Sequence, residues 1–245
     1  TLLCTVAMDP PNSFAAEDVR TERERLLGAI HPLRPEDIVR GQYTAGREFG
    51  ADVPGYRQEP HVAPDSRTET YVAMRLAIEN WRWAGVPFYV RTGKRLAARR
   101  TEIAVHYKPA PYRMFRDTPV EQLTPNITRL MIDPDHGIET QFDAKVPGAQ
   151  MRLGRVASTL RYKDYFSEQP NVGYETLLYD CMMGDATLFQ RADNIEASWR
   201  VLQPVLEDWR NGQGRPDDYA AGSEGPKSAD ELLARDGRNW LGLQG

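Results

Sequence analysis

The sequence predicts an α+β fold: a large, mainly antiparallel sheet with helices packed on one face. Three observations predict it. Apolar residues recur at helical spacing near both ends of the chain, as in Val19, Leu26, Leu27 and Ile30 and again in Leu177, Leu178, Cys181 and Met182. Between these ends lie short runs in which apolar and polar residues alternate, separated by Gly and Pro turns. No strand–helix–strand alternation of the doubly wound kind appears.

In chain order, Thr1 to Met8 reads as the last two turns of a helix whose beginning lies upstream, and Asp9-Pro10-Pro11 stops it. Ser13 to Ile30 is a helix with Ser13 as N-cap and acids in its first turns. Ile38 to Thr44 is a short strand. Ala45 to Thr68 is a long polar loop, and Glu69 to Asn80 is the strongest strand, with Val72, Met74, Leu76 and Ile78 on its buried side. After a short turn carrying Trp81 and Trp83, strands follow at Phe88–Arg91, Glu102–Tyr107, Ile127–Ile132, Gly137–Val146 and Val156–Tyr162, a meander with one face covered. Pro109 to Pro125 is irregular. Helices return at Tyr174–Arg191 and Asp193–Asn211, the second capped by Asp193 with Glu196 and burying Ile195, Trp199, Leu202, Leu206 and Trp209. Pro204 is expected to kink it. A polar linker, Asn211 to Lys227, leads to a last helix from Ser228 to Arg235, capped by Ser228.

Composition narrows the class. The chain has 245 residues, 40% hydrophobic and 27% charged, so it folds, as one large domain or two small ones. A net charge of −4 argues against nucleic acid as partner. No apolar run approaches the roughly 20 residues of a membrane span. Cys4 and Cys181 both read as small core residues of a reducing compartment, which fits a cytoplasmic protein. The four histidines show no metal-ligand spacing, so no metal is expected.

Chemistry concentrates in Gly85 to Lys108. Two strand-like runs flank a loop holding Arg91, Lys94, Arg95, Arg99 and Arg100 around Thr92-Gly93. Such a loop suits a phosphate or another anion, although on charge alone a solvated hairpin tip is the more common case. No glycine-rich phosphate loop occurs. The paired carboxylates Glu36-Asp37 and Asp217-Asp218 are consecutive and read as surface residues, and His106 is a lone strand histidine. No residue qualifies as a catalytic acid, base or nucleophile.

Five longer stretches occur in a telling order: LLCTVAMDPP, DVRTERERLLGAI, WRWAGVPFYVRTGKRL, YETLLYDCMMGDATLFQRADNIEASWRVLQPVL and AGSEGPKSADELL. From about Leu2 to Leu233 the chain resembles the C-terminal domain of the glucose-6-phosphate dehydrogenase family, in its bacterial style. The resemblance implies a fold like the C-terminal domain of glyceraldehyde-3-phosphate dehydrogenase. It implies that residues 1–245 form a substrate-binding and dimerisation domain, with the dinucleotide-binding domain and the catalytic histidine upstream. It implies glucose 6-phosphate as substrate, NADP as hydride acceptor on the missing domain, a homodimer or a dimer of dimers, a place in the oxidative pentose phosphate pathway, and no activity for this chain alone. The alternative is a related non-catalytic module for sugar-phosphate binding or oligomerisation.

On the matching positions, Lys94 and Arg99 are the substrate-binding residues the resemblance implies. Asp133 falls where many members carry a substrate-side Gln, and its charge opposes a phosphate. Positions that bind a second, structural NADP in animal members read Ala104, Met131 and Glu224 here, so none is expected, and Trp240 alone does not restore it.

Overall fold

The computed structural model describes residues 1–111, 123–167 and 174–243. In chain order its main elements are α1 (Leu2–Ala7), α2 (Ala16–Gly28), β1 (Ile38–Thr44), β2 (Gly46–Glu48), β3 (Ala51–Val53), β4 (Tyr71–Ala77), β5 (Pro87–Gly93), β6 (Thr101–His106), β7 (Ile127–Asp133), β8 (Gly137–Lys145), β9 (Leu153–Arg161), α3 (Tyr174–Met183), α4 (Ala192–Arg210), β10 (Asp217–Ala220) and α5 (Lys227–Ala234). They form two compact units, Thr1–Ala98 with Val172–Gly245, and Arg99–Asn171. The α+β class holds. The irregular stretch expected at Pro109 to Pro125 lies partly outside the described residues.

The first unit is built on a four-stranded sheet of order β10-β1-β4-β5. Strand β4 pairs antiparallel with β1 and β5, and β10 runs parallel to β1. Both faces of β4 are buried, so the helices are not confined to one side. Leu76 and Ile78 pack with Cys4, Leu26, Leu27 and Val201 from α1, α2 and α4, with Val72 and Met74 partly buried beside them. The opposite side chains, Tyr71 and Ala73, pack with Leu232 and Leu233 of α5 and Tyr219 of β10. A strand covered twice loses the one-sided exposure on which an alternation argument depends.

Several boundaries shift for local reasons. Two stretches expected to be irregular contain strands. The polar loop after β1 carries the β2–β3 ribbon, turned by Phe49 and Gly50 at φ 46° and 87°, the positive values a tight hairpin turn uses. The polar linker near 211–227 contains β10. The expected N-caps also move. Helix α2 starts after Ala15, because Ser13 Oγ accepts from the Ala15 N–H and donates to Asp18. Asp193 is spent on Arg191, and Ser228 donates to Asp217, so α4 and α5 begin one or two residues earlier. Helix α4 runs continuously through Pro204. Its buried stripe is Asn194, Ala197, Val201 and Val205, while Ile195 and Trp199 are about half exposed, at 45% and 53%. Helix α3 ends at Met183, before Gly184 at φ 74°, and buries none of its side chains, so Cys181 is exposed and not a core residue.

The second unit is an antiparallel meander, β6-β7-β8-β9. Its register puts Val105, Leu130, Ile138, Phe142, Val156 and Leu160 on one face. The other carries a charged ladder in which Arg129 lies 3.4 Å from Glu102 and 3.7 Å from Glu139. The apolar face stays open: Phe142 and Val156, opposite one another, are 37% and 39% exposed.

Candidate functional site

The basic stretch divides at the boundary between the units, which falls after Ala98. Strands β5 and β6, expected as the two arms of one hairpin, belong to different sheets. Lys94 follows the last residue of β5 in the first unit, and Arg99 precedes β6 in the second.

Lys94 has a firmly held backbone. Its N–H donates to the Thr70 carbonyl at 2.8 Å, and its carbonyl accepts the Tyr219 hydroxyl at 2.7 Å. That hydroxyl also lies 3.0 Å from Thr70 Oγ1. Tyr219 is buried on β10, and burial pushes its phenol above the ordinary range, so it remains a donor. The residues beyond Lys94 are tied to the segment after β10: Gly222 N–H donates to the Arg95 carbonyl at 2.7 Å, and Ala97 N–H to Ser223 at 2.9 Å. Gly93 is required sterically. A Cβ there would stand 2.7 Å from Cδ2 of Tyr71, whose ring fills the space beneath the strand end.

The cations of the stretch then separate by what they face. Arg91 turns inward over the Trp240 ring, 4.8 Å from its centroid, donates to the Leu241 carbonyl at 2.6 Å and pairs with Glu224 at 3.3 Å. Arg95, at φ 53°, is clamped between Glu48 at 2.6 Å and Glu59 at 3.3 Å, and these partners hold its guanidinium firmly charged. Arg100 lies 3.7 Å from Glu102. Arg99 lies 3.6 Å from Asp133, in a pair exposed on both sides. Among the described residues Lys94 alone of the five makes no side-chain ion pair or hydrogen bond, and it is exposed. A fixed backbone carrying an uncommitted ammonium is equipped to receive an anion from solvent. The anchors Tyr219 and Thr70 escaped sequence reasoning, because an isolated Tyr in a polar stretch carries no periodic signal.

Glu224 accepts from the Leu243 N–H at 2.8 Å besides pairing with Arg91, and the Trp240 indole donates to Ala229 at 3.0 Å. Trp240 is thus tied to Arg91 and Ala229, and Glu224 to Arg91 and Leu243. Among the described residues no three His, Cys, Asp or Glu side chains gather where a metal could sit. No helix there is long and apolar enough to cross a membrane.

Comparison with known proteins assigns the chain. Residues 1–241 match the family model described as glucose-6-phosphate dehydrogenase, C-terminal domain. Glucose-6-phosphate 1-dehydrogenase of Aggregatibacter actinomycetemcomitans is 46% identical over 243 residues, 98% of this chain and 48% of that protein. The Chlamydia muridarum enzyme of the same name is 44% identical over 241 residues, again 98% of this chain and 48% of the relative. The crystal structure of the Mycobacterium avium enzyme superposes with a TM-score of 0.83 at 37% identity, covering 98% of this chain and 48% of that one. A glucose-6-phosphate dehydrogenase in complex with its substrate glucose-6-phosphate gives a TM-score of 0.85 at 31% identity, covering 98% and 49%. The chain thus spans about half the length of the relatives it matches. Family match, identity and superposition agree over nearly all of its length, and the chain belongs to the glucose-6-phosphate dehydrogenase C-terminal domain family.

Proposed function

We propose that this chain is the substrate-binding and dimerisation half of a cytoplasmic glucose-6-phosphate 1-dehydrogenase, and that Lys94 binds the sugar phosphate. The observation that carries the reading is the state of Lys94. Its main chain is fixed by Thr70 and Tyr219, while its ammonium faces no carboxylate among the described residues. The complete enzyme oxidises C1 of D-glucose 6-phosphate to the 6-phosphogluconolactone. The hydride leaves with NADP as NADPH, and the hydroxyl proton leaves to a base. The 245 residues hold no glycine-rich dinucleotide loop and no assigned base. In this reading the cofactor and base belong to a dinucleotide-binding domain outside these residues, and the chain alone is expected to be inactive. Its own contribution is charge and position: an ammonium for the phosphate dianion, set on a rigid strand end.

Arg99, in the second unit, is proposed as a further cation for the substrate, released when its exposed pair with Asp133 opens. The open apolar face of the second unit supports self-association, because Phe142, Val156, Ile138 and Leu160 form a contiguous patch left exposed among the described residues.

Two measurements test the reading. Glucose 6-phosphate and NADP added to the purified chain should yield no NADPH above background. In the complete enzyme, Lys94→Ala should lower kcat/KM by the equivalent of about 2–4 kcal/mol, the cost of truncating one partner of a charged contact. Unchanged kinetics would remove Lys94 from the site.

A further inference from the structure

We propose a second anion site in the first unit: a cleft beside the C-terminal end of α4 that takes a small phosphate-bearing ligand between Arg67 and Arg210. The cleft is shallow and open to solvent, with a volume of about 310 Å³, and does not include Lys94. Its lining carries three guanidinium groups, Arg40, Arg67 and Arg210, against one carboxylate, Glu69, with Leu206 and Trp209 as apolar wall.

The arginines differ in role. Arg40, on β1, is the floor. It is 7% exposed, donates through Nη2 to the carbonyls of Gln213 and Gly214 at 3.0 Å each, and lies 4.7 Å over the Trp209 ring. Glu69 is 3.9 Å from it, beyond direct hydrogen bonding. Burial holds Arg40 below its ordinary pKa, with the Glu69 charge opposing the shift and the Arg67 charge adding to it. Arg67 passes over the same turn, with Nη1 4.0 Å from where a Cβ of Gly212 would stand. Arg67 and Arg210 are exposed at the rim and have no hydrogen-bond or ion-pair partner among the described residues.

Two uncommitted planar forks over a fixed third one form a clamp for tetrahedral oxyanions, since a guanidinium meets phosphate through paired N–H donors. The volume is at the lower end for small-molecule sites, which run from about 300 to 1,000 Å³, and accommodates a compact phosphate monoester or a pyrophosphate. The carbonyls at the end of α4 oppose an anion through the helix dipole, but two of the neighbouring turn's carbonyls already accept from Arg40.

The test uses the 245-residue chain carrying Lys94→Ala, so that the loop site is silent, and titrates inorganic pyrophosphate by calorimetry and phosphorus NMR. The expected result is saturable one-to-one binding, weakened about tenfold by Arg67→Gln and again by Arg210→Gln, with thermal melts unchanged because both side chains are exposed. Arg238→Gln, an exposed arginine elsewhere, should leave the affinity as it was. Binding that does not saturate, that survives the Arg67→Gln/Arg210→Gln double change, or that falls equally with Arg238→Gln would overturn the site.

Discussion

Tyr219→Phe removes one oxygen and leaves every proposed ligand contact in place, so it isolates the support of Lys94 from the charge of Lys94. The hydroxyl is buried, donates to the Lys94 carbonyl at 2.7 Å and lies 3.0 Å from Thr70 Oγ1. Losing one buried hydrogen bond costs about 1 kcal/mol net, and stranding its acceptor adds about 1–3 kcal/mol where water cannot replace the donor. Lys94 itself is exposed, so water reaches its carbonyl from one side, and the lower part of that range applies: about 1–2 kcal/mol. Urea unfolding followed by tryptophan fluorescence should show the midpoint falling with an unchanged slope. In the complete enzyme, KM for glucose 6-phosphate should rise severalfold while the Lys94 ammonium stays charged. A loss of stability below about 0.5 kcal/mol, or wild-type KM, would refute the claim that this hydroxyl holds the loop.

Asp133→Asn should tighten glucose 6-phosphate binding severalfold if Arg99 receives the phosphate, because Arg99 no longer exchanges a carboxylate for its ligand; unchanged or weaker binding by calorimetry would count against Arg99. Phe142→Arg, on the open face of the second unit, should shift the protein toward monomer in sedimentation velocity without lowering its melting temperature, and an unaltered oligomer would place the interface elsewhere. Tyr71→Phe should be neutral or stabilising by up to about 2 kcal/mol, since the Tyr71 hydroxyl is buried without a hydrogen-bond partner among the described residues. Burial raises that phenol to about 12, while the nearby Arg91 pulls the other way. A raised folded-state pKa gives stability that is complete below the unfolded value near 10 and lost as pH climbs toward 12, so alkaline unfolding scans should flatten above pH 10 in Tyr71→Phe.

The strands were legible where short apolar or alternating runs are bounded by turn residues. Strand β1 has the expected bounds, and the register of the second unit keeps Ile138, Thr140 and Phe142 together, as their spacing requires. Legibility failed where burial depends on the partner. On α4 the large residues Ile195 and Trp199 were the natural candidates for the core, yet α2 packs there against Asn194, Ala197, Val201 and Val205, whose smaller side chains allow close approach. On α3 an apolar stripe exists, but nothing in the described residues covers it. Strand β10 has one buried anchor, Tyr219, in a run of polar residues, too few positions for a period to show.

The same dependence on distant partners explains why the basic stretch is ambiguous in the sequence. Five cations within ten residues look alike by charge and spacing, and most such runs are solvated surface. What separates them is the acid each one meets, and those acids come from elsewhere: Glu48 and Glu59 for Arg95, Glu224 for Arg91, Glu102 for Arg100, Asp133 for Arg99. Sequence separation hides all of these acids but Glu102 from any local reading, whereas folding brings them within 4 Å. Each pairing converts a candidate ligand into a structural tie. The tie is weakest at Arg99, which is 85% exposed and screened by water, and strongest at Arg95, where two carboxylates converge. Lys94 is the cation of the stretch that needs no partner removed, whereas Arg99 has a solvated partner to give up. That order of availability, not the number of positive charges, is the reason to place the phosphate on Lys94 first.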